Sequence, residues 1–221
     1  MDISIFDVVG PVMIGPSSSH TAGAARLARA AAKIAAVPFT HVSFGLHGSF
    51  AKTYRGHGTD KALVAGVLGF KSDDEQLKTS FEIAAASGLT CDFYETELEG
   101  MHDNSVLMTF TLQEGGSCTI AGSSIGGGQI VITNINGTAV DISASGPTLI
   151  ITQKDKKGVI SEVTKILADY DINIGIMKVS RTGKGQQALC VIESDNQIDD
   201  RVVSEIASRN NVISVKALCI D

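Results

Sequence analysis

The apolar positions of this chain open with a nearly continuous run from Ser4 to Ile14, bounded by Gly15-Pro16, which reads as an anchoring segment. A small polar turn follows, and helical periodicity then sets in from Thr21 to Ala36, closed by Pro38. Leu27, Ala31 and Ile34 share one face of that helix, while Arg26, Arg29 and Lys33 form a basic stripe that reads as a solvated face. Ser18 or Ser19 is the expected N-cap, and the alanines supply helix propensity. From Thr40 to Leu46 the alternation of Val42, Phe44 and Leu46 with Ser43 and Gly45 predicts a strand. A helix is expected from Lys61 to Leu68, with Thr59 and Asp60 as capping residues and Gly69 as its stop. Asp73 to Glu82 is polar, a helix or a loop. Strand candidates follow at Leu89–Thr96, Ser105–Gln113, Ser117–Ser123 and Gln129–Ile135, separated by glycine-rich turns.

The pattern changes after Asp141–Pro147, a small, polar, proline-closed stretch that reads as a linker. Thr148–Thr152 is a β-branched strand, and Val159–Tyr170 is a helix with Val159, Val163, Ile166, Leu167 and Tyr170 on one stripe. Strands Ile172–Ser180 and Gln187–Glu193 are joined by Gly183-Lys184-Gly185. Ile198, Val202, Val203 and Ile206 mark a second helix, and a last strand turns Ile213, Val215, Ala217 and Cys219 inward. The order is β-α-β-β-α-β, a split βαβ arrangement with both helices on one sheet face. The fold class is therefore α+β: an N-terminal α/β domain of substrate-binding type over residues 1–143 and a small C-terminal domain over 148–221.

Composition narrows the function. The chain has 221 residues, 43% of them apolar and 19% charged, which is ordinary for a globular protein with a real core. A formal charge of -6 argues against a nucleic-acid partner, which would want a basic face. No apolar run is long enough to span a bilayer, and the start carries no basic, cleavable leader, so no membrane partner and a cytoplasmic location are expected. Cys91, Cys118, Cys190 and Cys219 contain no Cys-x-x-Cys pair, and the expected metal-ligand set in this chain is none.

Three stretches suit neither a core nor a plain surface. Ser17-Ser18-Ser19-His20-Thr21 heads a long helix, where unpaired N–H groups and the positive end of the dipole collect anions, so a small carboxylate is the expected ligand. His57 lies between Gly56 and Gly58, ahead of Thr59, where the backbone can approach a ligand closely. Ser124, Gly126, Gly127 and Gly128 offer either a row of N–H donors for an anion or a plain flexible turn. His41 and His47 read as structural.

These stretches, with Ser4-Ile5-Phe6-Asp7 and Gly10-Pro11 ahead of them, occur in this order in one family. The chain resembles the β subunit of the bacterial iron–sulfur-dependent L-serine dehydratase, or L-serine ammonia-lyase. Residues 148–221 resemble an ACT domain, a ferredoxin-like amino-acid-sensing module. The pattern departs at His102-Asp103-Asn104-Ser105, where many relatives have His-Pro-Asn-Thr, and at Gln129, where single-chain relatives commonly carry an aromatic residue.

The resemblance implies conversion of L-serine to pyruvate and ammonia with an α subunit that holds a [4Fe–4S] cluster, whose open iron acts as Lewis acid on the substrate. It implies a catalytic imidazole from His57 or His20 at the subunit boundary. Ser17, Ser18, Ser19, Thr21, Gly58, Thr59, His102, Asn104, Ser124, Gly126, Gly127 and Gly128 are then the substrate-binding candidates. In the ACT-like part it implies a ligand loop at Asp155, Gly158 and Val159, with Asn173 as a further contact, and a homodimer through the ACT edges. The alternative is a purely regulatory subunit that binds an amino acid or anion, as the related domain of phosphoglycerate dehydrogenases does.

Overall fold

The computed structural model describes residues 12–181 and 183–219. The lead-in as far as Pro11 lies outside the described residues. The chain divides into two compact units, Met1–Gly137 and Thr138–Asp221.

In the first unit a π-helical turn, Ser18–Gly23, runs directly into helix α1 (Ala24–Ala35). Strand β1 (Phe39–His47) leads straight into α2 (Gly48–His57) and α3 (Thr59–Val67). A 3₁₀ turn (Glu75–Thr79) and α4 (Ser80–Ala86) carry the chain to β2 (Thr90–Glu95). β3 (Asn104–Leu112), β4 (Ser117–Gly126) and β5 (Gln129–Ile135) complete the run. The unit contributes strands in the order β2-β1-β3-β4-β5. β1 and β2 are parallel, since three helices cross between them, and the other pairs are antiparallel.

One sheet face is apolar, with Val42, Phe44, Leu46, Val106, Met108, Phe110, Ile120, Ile130 and Ile132 buried. The other carries polar side chains such as His41, Ser43 and Asp92, where His41 Nε2 meets Asp92 Oδ1 at 2.6 Å. The alanines of α1 do more than favour a helix. A Cβ added at Gly66 of α3 would fall on the Ala25 carbonyl oxygen and 2.7 Å from Ala28 Cβ, so small residues let the two helices touch.

Three expectations are corrected here. The cap is Ser17, whose Oγ accepts from the His20 N–H at 3.1 Å, because the first turn is π-wound and starts earlier. The stretch leading to His57, for which the sequence pattern predicts no element, is a helix: Gly58, at φ 68°, closes α2 and opens α3 in the left-handed region. Thr59 and Asp60 lie inside the first turn of α3: the Asp60 carboxylate accepts from the Lys61 N–H at 2.8 Å, as a capping residue does, while the Thr59 hydroxyl caps nothing.

The second unit starts with β6 (Thr138–Ile142), so the expected linker is a strand as far as Ile142. β7 (Thr148–Lys154), α5 (Val159–Asp169), β8 (Ile174–Arg181), β9 (Gln187–Ser194), α6 (Asp200–Ala207) and β10 (Val212–Leu218) follow in the expected order. Their sheet runs β10-β7-β9-β8. Leu149, Ile151, Cys190 and Ile192 pack against Val163, Ile166, Leu167, Val202 and Ile206 of the helices. The last strand departs from simple alternation. Its register slips between Val212 and Ser214, so Val212 and Val215 reach the core while Ile213 is 48% exposed and Ala217 is also exposed. No helix among the described residues is long and apolar enough to cross a membrane.

Candidate functional site

The site is built around the π-helical turn. Its wider winding swings the Ser17, Ser19 and His20 side chains together, with His20 Nδ1 3.1 Å from Ser19 Oγ and 3.4 Å from Ser17 Oγ. His20 Nε2 lies 3.0 Å from Ser49 Oγ, near the start of α2. The far end of the same helix brings His57, whose ring sits 4.8 Å from that of His20 at a tilt of 52°. Thr21 Oγ1 donates to the His57 carbonyl oxygen at 3.2 Å, tying the turn to the α2–α3 junction. Burial, and after it the neighbouring His57, holds the His20 imidazole below its usual 6.5, partly opposed by a hydrogen bond to the Ser49 backbone.

Three buried polar atoms here have no hydrogen-bond partner: His57 Nδ1, Thr59 Oγ1 and Ser124 Oγ. Ser124 stands on the helix-facing side of β4, and Gly23 makes room for it, since a Cβ on Gly23 would collide with the Ser124 hydroxyl and come within 2.8 Å of its Cβ. His57 also lines a cleft of about 590 Å³ along α2, with Thr53, Tyr54, Arg55 and Glu95 among its walls.

Ser17, Ser18, Ser19, His20 and Thr21 thus form or flank the turn, His57 meets it through the His20 ring and Thr21 Oγ1 and leads into Gly58 and Thr59, and Ser124 meets it at Gly23. Gly126, Gly127 and Gly128 form the β4–β5 hairpin turn, all at positive φ, with the Gly128 carbonyl 3.5 Å from Arg26 Nη1. Arg26 is therefore half-buried and turned to the hairpin, not part of a solvated stripe. His102 and Asn104 serve the loop before β3, where His102 Nδ1 accepts from the Asn104 N–H at 3.1 Å. That loop acts on the site from behind, because the Asp103 carbonyl accepts from the Ser49 N–H at 2.8 Å.

Ser49, Gly23 and Arg26 were not singled out as site residues from the sequence. Nothing in their spacing distinguishes them, and only the packing of α2 and β4 on the turn does. His47, expected to be structural, accepts from the Leu98 N–H at 3.1 Å.

In the second unit the candidate ligand loop is already engaged. The Asp155 carboxylate accepts from Arg181 at 3.1 Å and from the Gly185 N–H at 2.9 Å, and these two contacts hold it below the usual carboxylate range. Gly158, at φ 92°, precedes Val159 at the start of α5. Asn173 Nδ2 donates to Asp195 at 2.6 Å.

A family model described as serine dehydratase beta chain matches residues 4–88, and one described as ACT domain matches residues 148–211. The chain is 43% identical over 96% of its length to a probable L-serine dehydratase, beta chain, of Bacillus subtilis, covering 96% of that protein. To the L-serine dehydratase, beta chain, of Peptoniphilus asaccharolyticus it is 42% identical over 93% of each chain. The chain belongs to the serine dehydratase beta chain family. A D-3-phosphoglycerate dehydrogenase of Bacillus subtilis is 29% identical over 82% of this chain, which spans 34% of that longer protein.

The iron–sulfur cluster implied by the family resemblance does not fit this beta chain's own thiols. Cys190 is packed in the core of the second unit and Cys118 is buried on β4. Burial pushes the thiols of Cys91 and Cys190 up to about 11, the opposite of what a thiolate ligand needs. Among the described residues no three His, Cys, Asp or Glu side chains gather as a metal-ligand group.

Proposed function

We propose that this chain is the β subunit of an L-serine ammonia-lyase that forms pyruvate and ammonia together with a second, α, chain, and that the [4Fe–4S] cluster belongs to that chain. The observation that carries the reading is that three buried, unpaired polar atoms, His57 Nδ1, Thr59 Oγ1 and Ser124 Oγ, stand on segments that pack against the Ser18–Gly23 turn. An unpaired buried polar atom costs about 1–3 kcal/mol, so three together are explained by a polar ligand that completes them.

L-Serine has the matching groups. Its carboxylate suits the N-terminal turn at Ser17–Ser19, where backbone N–H groups and the helix dipole favour an anion. Taking the proton from its α-carbon requires a base with a pKa near neutrality, and imidazole is the natural one. His20 has both ring nitrogens engaged by hydroxyls, whereas His57 Nδ1 is free to accept that proton. Loss of the β-hydroxyl then leaves aminoacrylate, which hydrolyses to pyruvate and ammonia. In this reading the enzyme is cytoplasmic, the ACT-like units pair two copies of the chain, and they sense an amino acid.

The test is anaerobic pyruvate formation from L-serine by the chain expressed with and without its α partner. Turnover only with the partner, and its loss in His57→Asn, supports the proposal, while turnover near wild type in His57→Asn removes His57 from the chemistry. The similarity to a phosphoglycerate dehydrogenase over most of the chain favours one rival, a purely regulatory amino-acid- or anion-binding subunit. That rival requires the chain alone to bind serine and His57→Asn to leave turnover unchanged.

A further inference from the structure

The face of α2 that meets the π-helical turn carries Ser49, Phe50, Thr53 and His57, positions that helical spacing aligns in one stripe. The His20 ring lies along this stripe. Ser49 Oγ holds its Nε2 at 3.0 Å, Ser19 Oγ holds its Nδ1 at 3.1 Å, Phe50 stands edge-on at 5.2 Å, and His57 follows at 4.8 Å. A ring gripped at both nitrogens from two different elements cannot turn without breaking one grip. Ser49 is itself fixed, since its N–H donates to the Asp103 carbonyl at 2.8 Å and its own carbonyl accepts from Thr53 Oγ1 at 2.7 Å.

We propose that Ser49 is a positioning residue, whose hydroxyl sets the orientation and tautomer of His20 and thereby seats His57 for its substrate. The inference rests on the reading of His57 as proton acceptor. The surroundings leave Ser49 as the hydroxyl from outside the turn that does this. His57 is the titratable neighbour facing the ring. On α2, Lys52 and Arg55 are exposed and Tyr54 lies beneath the Arg55 guanidinium. On α3, Asp60 accepts from the Lys61 N–H, on α1 Arg26 turns to Gly128, and β4 adds only Cys118. Burial and His57 both disfavour the charged form of His20, so in the neutral ring the hydroxyl at Nε2 bears on which nitrogen carries the proton.

The clamp is tested without turnover by ¹⁵N-histidine NMR of the full chain. In Ser49→Ala the His20 ring nitrogens should lose their wild-type tautomer signature and titrate at lower pH, and Ser49→Thr, which keeps a hydroxyl, should restore both. In the enzyme assembled with its α chain, Ser49→Ala should lower kcat about tenfold, move KM much less, and shift the histidine limb of the pH–rate profile. Should Ser49→Ala fail to fold, Ser49→Cys, of similar shape but with a poor donor, gives the same comparison against Ser49→Thr. Unchanged His20 signals without the hydroxyl overturn the clamp whatever turnover does. Changed signals with an unaltered pH–rate profile overturn its link to catalysis. Full turnover in His57→Asn would instead sink the proton-acceptor reading and leave the clamp to be judged by its spectrum.

Discussion

The rings of His20 and His57 lie 4.8 Å apart, and two imidazoles at that distance inside a partly buried turn do not both carry charge cheaply. Burial first and His57 second hold the His20 imidazole below its usual 6.5. Between that lowered value and 6.5 the unfolded chain binds more protons than the folded one, so stability rises with pH across the window. The contribution is complete above 6.5 and is lost as pH falls through the folded value. Urea midpoints measured from about pH 8 to about pH 5 should fall, and His20→Asn should flatten the slope. An equal slope in the variant would show that His20 is not the group responsible.

Thr59 has a fully buried hydroxyl with no partner. Thr59→Val keeps the shape and removes the orphaned oxygen. The isolated chain should gain about 1 kcal/mol of stability, while the assembled enzyme should need more serine for half-maximal rate. Denaturant unfolding and a KM measurement check the two halves separately. A variant that loses stability with KM unchanged would mark Thr59 as structural.

Gly23 is where β4 meets the turn. Gly23→Ala should cost about 1–3 kcal/mol, because its methyl group would occupy the space of the Ser124 side chain. Ser124→Gly in the same chain should recover part of that loss, since the two residues share one space. Thermal unfolding of the two single variants and the double variant measures this coupling, and strict additivity would argue against the contact.

Cys91 and Cys190 have thiols raised from the usual 9.0 to about 11. Their thiolate fraction near pH 8 is then about a hundredfold below that of a free cysteine, and alkylation of the native chain should be slowed in proportion. Peptide mapping after brief iodoacetamide treatment reads both sites. Fast native labelling of Cys190 would contradict its packing in the core and reopen the question of thiolate ligands in this chain.

The βαββαβ order of the second unit and most strands of the first are legible because hydrophobic alternation and stripe spacing are local properties, and the family is legible from the order of its short polar and glycine-rich motifs. Val163, Ile166 and Leu167 are core residues for the reason their spacing suggests. Where one extra residue slips the register, as at Ile213, local alternation misleads. The helix ending at His57 was hidden as well: Gly48, Ser49, Gly56 and His57 resemble a loop in composition, and packing of Phe50 and Ala51 outweighs that propensity.

The sequence by itself determined that a hydroxyl-rich, histidine-bearing turn heads the first long helix and that the cysteines form no recognisable ligand set, since both follow from residue type and spacing. Only the tertiary structure decided that both His20 ring nitrogens meet hydroxyls while His57 Nδ1 meets none, that Ser49 and Gly23 pack against the turn and its partners, and that Asp155 is already paired. Those outcomes depend on which side chains from distant segments share a few ångströms of space, and no spacing along the chain encodes that.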